Sequence, residues 1–112
     1  MSEKKIRGGS LIARALRDKG IENVFTLSGG FCNPALEGLM ECQIDVINCP
    51  HEQIAGHLAD GHTRITRKPT VCLVGPEGFA NAVPSMMEAW GERSPVIFIT
   101  GSSSLRLSLI HI

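Results

Sequence analysis

The chain has 112 residues, which fits one domain with a single buried core. Eleven Lys and Arg balance eleven Asp and Glu, and no basic block with interleaved aromatics occurs, so composition supports neither a nucleic-acid partner nor an anionic membrane surface. The four cysteines lack CxxC spacing, no apolar run nears the ~18 residues of a membrane span, and the charged start MSEKKIRGG has no apolar stretch behind it, a pattern that fits a soluble, untargeted, cytoplasmic chain.

In chain order, Leu11, Ile12, Ala15 and Leu16 fall at helical spacing and predict a helix over 10–18, with Ser10 as its N-cap and Gly20 as its stop. The run NVFTL (23–27) predicts a strand that ends in the turn pair Gly29-Gly30. Pro34 then opens a helix whose apolar face is Leu36, Leu39 and Met40 and which ends near Cys42. The alternation continues with DVINC (45–49) as a strand, 52–66 as a helix and TVCLVG (70–75) as a strand. A Gly-rich turn at 75–78, a helix to about Trp90 and the strand PVIFIT (95–100) complete it.

Strands that are apolar throughout are what a parallel sheet covered on both faces requires, and right-handed crossovers connect such strands by default. The expected architecture is therefore an open, mostly parallel α/β sheet flanked by helices on both faces. Ligands of such sheets bind beyond the carboxyl ends of the strands, which here are the loops at 28–33, 50–53 and 75–81.

Glu52, in NCPHEQIAGHLADGH (48–62), stands in the second of these loops. As an acid in a first helical turn it interacts favourably with the macrodipole, by ~0.3–1 kcal/mol. Held at a sheet rim it could instead handle a proton, and local spacing leaves both readings open. His51, His57 and His62 with Asp60 invite a metal reading, but the spacing is not HExxH, and positions five or six apart do not share a helical face. The glycines after the strands lack GxGxxG and GxxxxGK[ST], so they argue for close backbone approach or for turns rather than for a dinucleotide or P-loop site. The cysteines read as core, and Trp90 with Met86 and Met87 reads as the core face of its helix.

Taken together, GGSLIARALRDKGIENVFTLSGG, HEQIAGHLADGHTR, KPTVCLVGPEGFANAV and ERSPVIFITGSS resemble, in order and spacing, the N-terminal pyrimidine-binding domain of thiamine-diphosphate enzymes. The types resembled are acetolactate synthase, benzaldehyde lyase and 2-hydroxyacyl-CoA lyase, and the likeness covers about residues 9–106. The family pattern runs "PGG", "RHEQ.AA..A.GYAR", "GP(G)..N" and "PV..I.G". Two departures stand out: His62 replaces the tyrosine of "GYAR", and "GPG" has become Gly75-Pro76-Glu77-Gly78.

The resemblance implies that Glu52 is the glutamate that hydrogen-bonds N1′ of the cofactor's aminopyrimidine. It further implies that Gly29 and Gly30 lie beside the pyrimidine or substrate pocket, and that Gly75, Pro76, Gly78 and Asn81 line the cofactor cleft. The implied activity is that of a carboligase, lyase or decarboxylase acting on 2-keto acids or acyloins. In the family, Mg²⁺ and the diphosphate are held by a C-terminal domain that has no counterpart here, FAD is carried by some members in a middle domain, and homodimers or homotetramers assemble the site. The alternative is a non-catalytic α/β ligand-binding or regulatory module.

The final LSLIHI departs from the family pattern and matches the translation of CTG-TCT-CTT-ATA-CAC-ATC, a transposase adapter end. The expected organisation is thus a truncated pyrimidine-binding domain over 1–106, followed by a non-native tail over 107–112.

Overall fold

A computed structural model describes residues 5–103; the tail expected over 107–112 lies outside the described residues. Eight elements alternate: α1 Gly8–Asp18, β1 Asn23–Thr26, α2 Asn33–Glu41, β2 Asp45–Asn48, α3 Glu52–Thr66, β3 Thr70–Val74, α4 Phe79–Gly91 and β4 Val96–Thr100. The strands form one sheet in the order β2-β1-β3-β4, every neighbouring pair parallel, with Phe25 aligned to both Ile47 and Cys72. This is the expected open α/β sheet.

Coverage follows position in the sheet rather than composition alone. All of β3 and Val24, Phe25 and Thr26 of β1 are buried between neighbours, while the outer strands β2 and β4 are only partly covered, although VIFIT of β4 is as apolar as TVCLV of β3. Thr26 is tolerated at the centre because its hydroxyl donates to the Leu73 carbonyl at 2.7 Å, which leaves no unpaired polar atom there.

Alternate strand residues point to opposite faces, and two cores result. On one face Val24, Val71 and Leu73 pack with Ala13, Ile21, Leu39 and Ile44 beneath the pair α1 and α2. On the other, Phe25, Cys72 and Val74 pack with Ala55, Ala59 and Ala82 beneath α3 and α4. All four cysteines are buried, as their core reading requires.

The residues that face one another across α3 and α4 are small. A β-carbon on Gly56 would lie 2.6 Å from Ser85 Cβ and 3.3 Å from Phe98 Cε1, so the missing side chain sets how closely the two helices approach. Ser85 is itself fully buried and donates to the Ala82 carbonyl.

Two expectations are corrected. Ser10 does not cap α1: the cap is Arg7, the helix begins at Gly8, and Ser10 is buried inside it, donating to Glu41 Oε2 of α2 at 2.9 Å. Nor is the face bearing Trp90 and Met87 core, since they are 77% and 58% exposed. Because α4 approaches α3 so closely, it turns Ala82, Ser85 and Ala89 inward and leaves its bulky residues outside. Gly20 ends α1 as expected at φ 78°, with the Ile21 N–H donating to the Leu16 carbonyl and the Gly20 N–H to the Arg17 carbonyl.

Candidate active site

The chain leaves β1 towards β2 on one side and β3 towards β4 on the other, so the sheet order reverses between β1 and β3. Loops diverge there at the carboxyl edge and open a crevice, the usual ligand position in this architecture. Helices α3 and α4 both begin at this edge, side by side.

The start of α3 is built by its cap. His51 is extended (φ −157°, ψ 148°), and its Nδ1 accepts the Gln53 N–H at 3.1 Å. A neutral ring that accepts at Nδ1 carries its proton on Nε2, the nitrogen that faces Glu52 Oε2 at 4.0 Å. Sequence reasoning weighed His51 only as a metal ligand. Its position directly before a helix was the available signal for a cap.

Glu52 is the first residue of α3, and its side chain is 14% exposed. Two residues at the start of α4 hold it. Asn81 Nδ2 donates to Oε2 at 3.2 Å. Gly78 is buried against the other side: a β-carbon there would overlap Oε1 and lie 2.6 Å from both Cγ and Cδ. Beneath the rim, burial first, and then the charges of Cys49 and Glu52, push the Cys72 thiol up to about 12. Asn81 fills one of the roughly four acceptor positions of an ionised carboxylate, so Glu52 keeps capacity for a further donor such as a protonated ring nitrogen or an N–H.

The remaining residues singled out in the sequence lie in two places. Gly75 and Pro76 share the loop of Gly78, where the Gly75 carbonyl accepts from Thr100 Oγ1 at 3.3 Å. Gly29 and Gly30 are exposed in the loop after β1, with open space where their β-carbons would be. That loop is tied to the β2 end by the Ser28 N–H, which donates to Asn48 Oδ1 at 3.1 Å, a link the sequence reading did not identify. The structure therefore brings Glu52, Gly78 and Asn81 into contact and sets Gly29 and Gly30 on the neighbouring loop.

The other histidine positions have structural partners. His62 lies at the opposite edge of the sheet, its ring 5.7 Å from that of Phe25 and its nitrogens within 3.3 Å of Asn23 Nδ2 and 3.1 Å of Thr70 Oγ1. Asp60 receives two bonds from Arg64, at 3.1 and 2.7 Å.

A parallel α/β sheet with a buried-side carboxylate fixed between two helix starts at its switch point is a cofactor- or substrate-binding fold. Residues 6–111 match the family described as "Thiamine pyrophosphate enzyme, N-terminal TPP binding domain", and the chain belongs to that family. It is 38% identical over 97 residues to the acetolactate synthase large subunit IlvG of Mycobacterium tuberculosis, covering 86% of this chain and 18% of that protein. It is 32% identical over 100 residues to a Pseudomonas aeruginosa protein named "Probable 2-ketoarginine decarboxylase AruI", covering 88% and 18%. The fold is shared with the thiamine diphosphate-dependent 4-hydroxybenzoylformate decarboxylase of Rhodococcus jostii RHA1, at TM-score 0.79 and 23% identity over 88% of this chain and 19% of that one. The chain thus spans about a fifth of the length of these relatives. It is a thiamine-diphosphate-binding domain of the acetolactate synthase-like kind, which disfavours the regulatory-module alternative.

Proposed function

We propose that this domain supplies the pyrimidine side of the active site in a carboligase, lyase or decarboxylase acting on 2-keto acids or acyloins, with Glu52 as the acid that engages the aminopyrimidine. The supporting observation is the fit of Glu52 to that task. Its carboxylate is largely withdrawn from water, lies at two helix starts that favour negative charge, is oriented by Asn81 and retains free acceptor capacity. Thiamine diphosphate, when bound, supplies the electron sink for carbon–carbon bond cleavage or formation.

The chain's own contribution is orientation and proton handling. Glu52 would hold a proton at N1′ of the pyrimidine. Gly29 and Gly30 on one loop and Gly75 on another would let the flat ring approach backbone without side chains in the way, with Pro76 and Gly78 in the same cleft-lining loop as Gly75.

In this reading Mg²⁺ and the diphosphate are held by a further domain of the full-length protein. FAD binds in a middle domain if the protein is of the flavin-containing type, and a homodimer or homotetramer in the cytoplasm completes the site. The relatives are named for acetolactate synthesis and for decarboxylation of 2-ketoarginine and 4-hydroxybenzoylformate, and pyruvate, the simplest such 2-keto acid, is the first compound to try. The reading is tested by product analysis of the full-length protein with thiamine diphosphate, Mg²⁺ and either pyruvate or an aromatic acyloin. Turnover of either supports it, and the absence of any cofactor-dependent carbon–carbon bond cleavage or formation across 2-keto acids and acyloins overturns it.

A further inference from the structure

We infer that Gly78 and Asn81 are positioning residues for Glu52, and that the glycine is required by the carboxylate rather than by the backbone or by a ligand. This rests on the reading of Glu52 as the pyrimidine partner, and it changes what the GPEGFAN loop is for.

The backbone of Gly78 does not need glycine. Its φ of −79° and ψ of −10° lie in the right-handed helical region, open to any residue. Space is what it needs: a β-carbon would sit 2.6 Å from both Cγ and Cδ of Glu52 and overlap Oε1. Gly78 is therefore the wall against which one edge of the carboxylate lies flat.

Asn81 acts on the opposite edge. Its Nδ2 donates to Oε2 at 3.2 Å from one turn further along α4, so one carboxylate oxygen is tethered and the other is pressed against bare backbone. A glutamate has three side-chain torsions, and a carboxylate that must meet one ring nitrogen works best when they are fixed before the ligand arrives. The spacing of Gly78 and Asn81, three residues apart at a helix start, places both on the side of α4 that faces the start of α3. The two residues separate the roles of the carboxylate oxygens, with Oε2 occupied by protein and Oε1 directed by contact.

The test uses the full-length protein, segmentally labelled with ¹³C and ¹⁵N over this domain, its Gly78→Ala, Asn81→Ala and Glu52→Gln variants, and thiamine diphosphate with Mg²⁺ as probe. NMR reads two things: the Glu52 side-chain rotamer, with its Gly78 Hα to Glu52 Hγ contact, and the probe affinity from shift titration. The expected result is one Glu52 rotamer with the contact present in the wild type. In Asn81→Ala the rotamers mix and probe affinity falls about tenfold, as for loss of a bond to a charged group. In Gly78→Ala the contact is lost, while amide shifts away from the two helix starts stay unchanged in both variants. An unaltered Glu52 rotamer in both variants overturns the inference, whatever the probe does. Probe affinity that Glu52→Gln leaves unchanged would instead count against the pyrimidine reading, with the rotamer result standing on its own. Affinity that depends on Glu52 but on neither Gly78 nor Asn81 rejects the positioning role and keeps that reading.

Discussion

Asn81 donates to Glu52 across 29 residues of sequence, and this 3.2 Å bond joins the first turn of α4 to the first turn of α3. The two helices run together from that point to their far ends, so the frame that carries the site is the α3–α4 pair rather than any loop. Its most sensitive point is Gly56 against Ser85. Gly56→Ala forces the new methyl onto Ser85 Cβ and should cost about 1–3 kcal/mol, the usual range for overpacking. Pairing it with Ser85→Gly should recover part of that loss, and urea denaturation of the two variants measures both.

At the far end of the same pair, Asp60 is buried, and Arg64 bridges from it to Glu88 and Glu92 of the α4 end. Burial raises the Asp60 pKa, but hydrogen bonds from Arg64 and Ser94, and the Arg64 and His57 charges, outweigh it and hold the carboxyl below its ordinary 3.8. A carboxyl lowered in the folded state contributes stability that is present above the unfolded value and is lost as pH falls through the folded one. Asp60→Asn should therefore lower stability at neutral pH and flatten its acid dependence below about pH 4. Thermal melts at neutral and acidic pH check this, and equal slopes in both proteins would contradict it.

The sequence made much of this legible, and the reasons are specific. The helix from Glu52 to about Thr66 is legible because Glu52 suits a first helical turn, although the cap supplied by His51 is not. The parallel sheet followed from strands that are apolar on both faces. Ser10 was misread because a serine ahead of an apolar run looks like a cap, and only the tertiary partner Glu41 shows that it is interior. Trp90 and Met87 were misread because periodicity finds an apolar stripe but cannot say which stripe is inside; the Gly56–Ser85 contact decides that by admitting only small residues. Three further helix ends, at Gln43, Arg67 and Arg93, take a left-handed residue without glycine (φ 57°, 60° and 55°), which composition does not signal. At the site, Glu52 and Asn81 were identified through the family pattern, but the contact between Glu52 and Gly78 depends on a distance no spacing encodes.

Cys72 offers a check on the layer beneath the site. With its thiol pushed up to about 12, its thiolate fraction at pH 8 is about 10⁻⁴, against about 0.2 for an ordinary thiol, so ionisation alone slows its reaction about 10³-fold. Native Cys72 should be labelled by a thiol reagent only through unfolding, at a rate that urea accelerates. Labelling located at Cys72 by mass spectrometry within seconds in native buffer would refute this burial.

The outer stripe of α4, Phe79, Val83, Met87 and Trp90, predicts an optical result. Trp90 should emit as a solvent-exposed indole and be quenched by acrylamide nearly as freely as the unfolded chain. Blue-shifted, shielded emission at low protein concentration would mean that this face is covered.

The central claim concerns Glu52, and its most direct test is Glu52→Gln in the full-length protein, assayed for steady-state turnover with thiamine diphosphate and Mg²⁺. Glutamine matches glutamate in size and keeps the contact with Gly78, so the fold should survive while proton handling does not. A positioned proton-transfer group contributes ~10²–10⁴ in rate, or about 3–5.5 kcal/mol, well above the ~0.3–1 kcal/mol of a first-turn acid acting on a helix dipole. The account predicts a loss of at least ~10²-fold in turnover with an unchanged circular dichroism spectrum. Near-normal turnover of the variant would contradict it and return Glu52 to the role of an ordinary acid at the start of a helix.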